Sequence, residues 1–127
     1  MGRSDNVYER MIGMKKLIFM IGPSCSGKTT EANRIKNKNP DNTVICSNDD
    51  RFYGPDGIYR FDWDLMPEAQ RACFKKAVSY MKIGIETIII DNTNLNTHNV
   101  ENYCVFGRFY GYHLLYVDCG LKPNLRM

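Results

Sequence analysis

The segment Gly22-Pro23-Ser24-Cys25-Ser26-Gly27-Lys28-Thr29 fits the pattern G-x-x-x-x-G-K-[ST] throughout. That pattern dictates local structure. Its glycines let the backbone curl so that successive N–H groups face one oxyanion, which requires a strand before the loop and a helix after it. The apolar run Leu17-Ile18-Phe19-Met20-Ile21 supplies the strand, and a polar, helix-compatible stretch follows. The pattern therefore implies nucleoside triphosphate binding by Gly22, Ser24, Cys25, Ser26, Gly27, Lys28, Thr29 and Thr30. Lys28 would reach the β- and γ-phosphates, and the Thr29 hydroxyl would ligate Mg²⁺. The first helical turn adds the positive end of its dipole.

Alternation of apolar runs with helical patterns continues along the chain. Strands are predicted at Lys16–Ile21, Thr43–Cys46, Thr87–Ile90 and His113–Val117. Helices are predicted at about Gly27–Asn37, Pro67–Lys82 and Thr97–Tyr110. Pro67 suits a first helical turn, and Gly84 suits the position past a helix end. The run Thr87-Ile88-Ile89-Ile90 is β-branched throughout, as a strand buried on both faces would be. This order reads as α/β: a three-layer fold around a parallel sheet of about four strands. Between the second strand and second helix lies a loop with Phe52, Tyr53, Tyr59, Phe61 and Trp63. Local packing over the sheet edge is one reading of these rings, and a stacking wall for a base is the other.

In parallel sheets, ligands sit beyond the carboxyl ends of the strands. Three strand ends here carry chemistry: the phosphate loop, Asp49-Asp50 and Asp91. Phosphoryl transfer needs held phosphates, a metal to spread charge, and a carboxylate to receive the acceptor's proton. Asp91 is placed to hold Mg²⁺ or its water. Asp49-Asp50 reads either as a turn cap or as the site of the base, and beside a complete phosphate loop the base is favoured. Cys25, near a helix N-terminus, reads either as an acidic thiol that bound nucleotide shields from alkylation or as a small filler with no chemistry.

The 127 residues suit one domain, read as an N-terminal extension over 1–13 and a folded part over 14–127. A net charge of +3 is too small to mark a nucleic-acid surface by itself. Five scattered cysteines without a C-x-x-C pair argue for reduced thiols and a cytoplasmic setting. His98 and His113 are isolated, and no apolar run approaches the ~18 residues of a membrane span. No N-K-x-D motif is present, which disfavours a regulatory GTPase.

The stretch from Met14 through the phosphate loop, Ser47-Asn48-Asp49-Asp50, and Ile88-Ile89-Ile90-Asp91-Asn92-Thr93-Asn94-Leu95 resemble the 5′-kinase domain of phage polynucleotide kinase. They are more similar still to the P-loop domains of Nedd-type ubiquitin-ligase-binding proteins. The resemblance covers roughly residues 14–119. It implies an ATP-dependent kinase fold whose Asp91 strand lies beside the phosphate-loop strand. Asp49, the first of the acidic pair, would be general base toward a 5′-hydroxyl, with Lys28 as the catalytic cation. Asp91 and Asn94 would line the acceptor or metal side. An acceptor-contacting arginine of the phage enzyme falls on Phe52, leaving Arg51, one residue early, as the substitute. Cys25 stands where close relatives usually have glycine. The family continues into an arginine-bearing lid, for which Leu121 to Met127 offers only Arg126. The lid is therefore expected to be truncated, or its arginine to come from a protein partner. The expected activity is transfer of the ATP γ-phosphate to a polynucleotide 5′-hydroxyl. A nucleoside-type small-molecule kinase and a lidless nucleotide-binding interaction module are the alternatives.

Overall fold

A computed structural model of the chain describes residues 11–22, 27–92 and 97–119. Its four apolar runs pair as one sheet: β1 (Lys16–Ile21), β2 (Thr43–Cys46), β3 (Thr87–Asp91) and β4 (His113–Asp118). Their order is β2-β3-β1-β4, and every pairing is parallel. The Asp91 strand thus lies directly beside the phosphate-loop strand, as the resemblance implies. Two central strands covered on both faces need unbroken apolar sequence. Leu17, Ile18, Phe19 and Met20 are fully buried, as are Ile88, Ile89 and Ile90.

Side chains alternate across the sheet, so each central strand feeds two cores. On one face, Ile18, Met20 and Ile89 pack with Ala32 and Ile35 of α1 (Lys28–Lys38). On the other, Leu17, Phe19, Ile88 and Ile90 meet α2 (Met66–Ile83) and α3 (Thr97–Phe109) through Cys73, Ala77, Met81, Tyr103 and Cys104. The result is the three-layer α/β architecture read from the sequence. Observed ends shift by a residue or so: β3 runs on to Asp91, and α1 starts at Lys28.

Gly84 ends α2 in the left-handed region, with φ of 81°. Its N–H bonds back to the Tyr80 and Met81 carbonyls, closing the helix before β3. At the same amino-terminal rim of the sheet, buried Lys16 is held by Glu86 at 3.1 Å and by the Met11 and Met14 carbonyls at 3.0 and 2.9 Å. Glu86 also accepts from the Gly13 amide, so residues 11–14 are tied to the start of β3. Among the described residues no helix is long and apolar enough to cross a membrane.

Ile89 tests the thinner of the two cores, because among the described helices only α1 covers that face of β3. Ile89→Ala is expected to lower stability by about 2–5 kcal/mol through lost burial and a residual cavity. Urea denaturation checks this. A loss below ~1 kcal/mol would mean that this core collapses around the gap.

Candidate active site at the carboxyl edge of the sheet

Parallel register sets the site. Met20 pairs with Asp91 and Cys46 with Ile90, so three connections leave the sheet at one edge. Behind β1, Gly22 and Gly27 both take positive φ, 146° and 92°. Gly27 is the N-cap of α1 and contributes no side-chain cap. The Glu31 amide bonds back to the Gly27 carbonyl at 2.9 Å, and the Thr29 and Thr30 amides ahead of it have no intrahelical acceptor and no cap from Gly27, which leaves them disposed toward an anion. A residue with a Cβ would meet no neighbour at Gly27, but it would have to adopt the strained left-handed conformation.

Around this helix start lies a cleft of about 490 Å³, within the usual range for a small-molecule site. Gly27, Lys28, Thr29 and Thr30 line it together with Asp49, Asp50, Tyr53 and Asp91. Lys28 is only 6% exposed, so its cation is held in the cleft wall rather than in bulk water. The Thr29 hydroxyl donates to Asp91 Oδ2 at 3.1 Å. A hydroxyl and a carboxylate this close suit Mg²⁺ arriving with a triphosphate, since Mg²⁺ takes one or two protein ligands and completes its shell with phosphate and water. Among the described residues no group of three or more His, Cys, Asp or Glu could hold a metal on its own.

Asp49 is positioned by a short 3₁₀ turn, Asn48–Phe52, that follows β2. Ser47 caps it: its hydroxyl accepts from the Asp49 amide at 3.1 Å. Asn92, buried just after Asp91, binds the same turn from the other side. Its Oδ1 accepts from the Asn48 amide at 2.6 Å, and its Nδ2 donates to Cys73 Sγ at 3.6 Å. Cys73 also accepts from the Tyr103 hydroxyl. One amide therefore joins the turn bearing Asp49 to the strand end bearing Asp91, and both to α2 and α3. Tyr59 donates to Asp49 Oδ1 at 3.2 Å. Partial burial first, and then the Asp49 carboxylate, raise the Tyr59 phenol above its ordinary pKa, keeping it a donor.

Gly22, Gly27, Lys28, Thr29, Thr30, Asp49 and Asp91 are thus gathered at one edge. Arg51 is not among the cleft-lining residues. It turns toward α2 and pairs with Glu68 at 2.9 Å, both side chains exposed. Ser24, Cys25, Ser26, Asn94 and the lid candidate Arg126 lie outside the described residues. Sequence reasoning missed Asn92 and Ser47, and it named Tyr59 only among the aromatic rings of the loop, not as a partner of Asp49. Ser47 stands three residues before Asp50, a recognisable cap signal, and Asn92 follows Asp91 directly, but nothing local marks Tyr59 as the partner of Asp49.

Among the described residues, Cys46 and Cys73 beside the site are inert by environment. Burial, reinforced by neighbouring Cys73, pushes the Cys46 thiol up to about 12. Burial also raises Cys73. Since the thiolate is the nucleophile, both are expected to resist iodoacetamide at pH 8 in the folded protein and to label after denaturation. Peptide mapping by mass spectrometry reads this out, and rapid native labelling of Cys46 would contradict the buried placement.

Fold and cleft together define a kinase-like P-loop nucleotide-binding domain. Residues 17–126 match the family described as AAA domain, and the chain belongs to that family. It is 34% identical over 100 residues to NEDD4-binding protein 2 of Homo sapiens. That match covers 79% of this chain but 6% of the human protein's length. Among solved structures, a chain of the Pnkp1/Rnl/Hen1 complex superposes with a TM-score of 0.66 at 21% identity, covering 86% of this chain and 36% of that one. The APS kinase CysC of Mycobacterium tuberculosis gives 0.60 at 15% identity, covering 84% and 76%. A putative kinase of Chloroflexus aurantiacus gives 0.62 at 18%, covering 84% and 59%. At these identities the structural likeness establishes the fold.

Proposed function

We propose that this domain transfers the γ-phosphate of ATP to a hydroxyl acceptor, the 5′-hydroxyl of a polynucleotide. The observation that carries the proposal is the convergence of Lys28, the Thr29–Asp91 pair and Asp49 on one cleft. Likeness to polynucleotide kinase in the motifs, and the matches to NEDD4-binding protein 2 and the Pnkp1 complex, support the choice of acceptor.

Each residue has a distinct task in this reading. The Gly27–Thr30 backbone receives phosphate oxygens at the helix start. Lys28 holds the β- and γ-phosphates and balances their charge. Thr29 and Asp91 would hold Mg²⁺, which when bound would spread charge over the phosphate oxygens. Asp49, steadied by Ser47 and Tyr59, takes the proton of the attacking hydroxyl.

The decisive experiment offers γ-labelled ATP and Mg²⁺ with 5′-hydroxyl oligonucleotides and a panel of nucleosides. Label on oligonucleotide, lost in Lys28→Ala and Asp49→Asn, is the expected result. Label only on nucleosides would replace the acceptor. Tight ATP binding without transfer to any acceptor would sink the kinase reading and leave a nucleotide-binding module.

A further inference from the structure

The loop from Phe52 to Trp63 forms a row of rings that starts inside the cleft and runs outward. Tyr53 lines the cleft, and Tyr59 is hydrogen-bonded to Asp49. Ring centroids lie 5.2 Å apart for Tyr53–Tyr59, 6.1 Å for Phe52–Tyr59, 5.0 Å for Phe52–Phe61 and 4.9 Å for Phe61–Trp63. Phe52 is buried and anchors the row. The other four remain 42% to 66% exposed, so core packing accounts for Phe52 alone. Neighbouring rings hold one another in place, which leaves the exposed π-surface preorganised rather than loose.

Charge narrows what such a surface can take. Between residues 49 and 68 there are six carboxylates and two arginines. Both arginines are engaged, Arg51 with Glu68 and Arg60 with Asp56. Asp62 and Asp64 flank Trp63. A track for a phosphate backbone is lined by lysine and arginine, and this one is not. A flat, uncharged ring system beside a hydroxyl group fits it.

We propose that this aromatic row is a stacking platform for the base of the terminal nucleoside that carries the accepting hydroxyl. The acceptor is recognised by its base, with the hydroxyl toward Asp49 and the phosphodiesters leading away from the acidic rim. This rests on the kinase reading above and adds a recognition mode to it. Two consequences follow. Acceptor affinity saturates within the first one or two nucleotides, and it changes little with salt, unlike binding through phosphate contacts.

Trp63 is the single tryptophan of the chain, so its fluorescence reports occupancy of the row directly. The full chain, with Mg²⁺ and a non-hydrolysable ATP analogue, is titrated with a nucleoside, a 5′-hydroxyl dinucleotide and a 5′-hydroxyl decanucleotide, at 50 and 200 mM salt. Saturable quenching by all three, with similar midpoints at both salts, is expected. In turnover assays Trp63→Ala should raise the acceptor KM by roughly 5- to 150-fold and leave the KM for ATP unchanged, with Trp63→Tyr restoring most of the loss.

The proposal is overturned by a steep fall in affinity with salt, by an unchanged acceptor KM in Trp63→Ala, or by quenching with an arginine-rich peptide and not with nucleoside. The last outcome would make the row a protein-docking face. Phosphoryl transfer without quenching removes the platform and keeps the kinase. Quenching without transfer keeps the platform and removes the kinase.

Discussion

Lys28→Ala is expected to lower phosphoryl transfer by about 10²–10³-fold, the usual loss when one preorganised charge-stabilising donor is removed. The size follows from where Lys28 sits. It is almost fully buried in the cleft wall beside the helix start, so its charge acts across a water-poor path and is weakly screened. Alanine also removes side-chain bulk, so a methionine variant separates the two effects. Lys28→Met retains most of the volume and loses the charge. Equal losses in both variants, with unchanged thermal stability, assign the effect to the cation. Transfer retained within threefold in Lys28→Met would show that the phosphates are held by the backbone alone.

Asp49→Asn is expected to reduce kcat by about 10²–10⁴, the range for a missing general base. The side chain keeps its shape, and the cap from Ser47 uses the Asp49 backbone amide, so the turn survives the substitution. Binding of MgATP should be unaffected, because the groups proposed to hold it are Lys28, Thr29 and Asp91. Isothermal titration with a non-hydrolysable analogue, alongside steady-state kinetics, separates the two quantities. A large loss of nucleotide affinity with unchanged kcat would move Asp49 from the acceptor side to the metal side.

Much of this architecture is legible in the chain because burial on both faces of a sheet leaves a blunt signature. Leu17 to Ile21 and Ile88 to Ile90 have no polar interruption, and the glycines at 22, 27 and 84 mark where the backbone must turn. Sequence position also brings Lys28, Asp49 and Asp91 to the correct edge, since parallel strands all point the same way. What stays hidden depends on side-chain direction across long separations. Arg51 stands beside the acidic pair in sequence, yet it reaches for Glu68 on α2. Asn92 reads as one polar residue in a polar run, but its amide spans two strand ends. Tyr59 reaches Asp49 only because the intervening turn folds back through the Tyr53–Tyr59 bridge. The aromatic loop divides between the two sequence readings. Phe52 packs inward, and the other four rings stay at the surface.

The placement of β1 at the centre of the sheet has a kinetic consequence. It is the first of the described strands in the chain, yet its two partners are β3 and β4. Its hydrogen-bonding edges cannot both close until β4 is available. Loop closure over such separations slows folding, and an apolar strand waiting with open edges invites pairing with other chains. Refolding of this domain should therefore be limited by late closure of β4 onto β1, and the segment most in need of protection during synthesis is the one that leads into the phosphate loop.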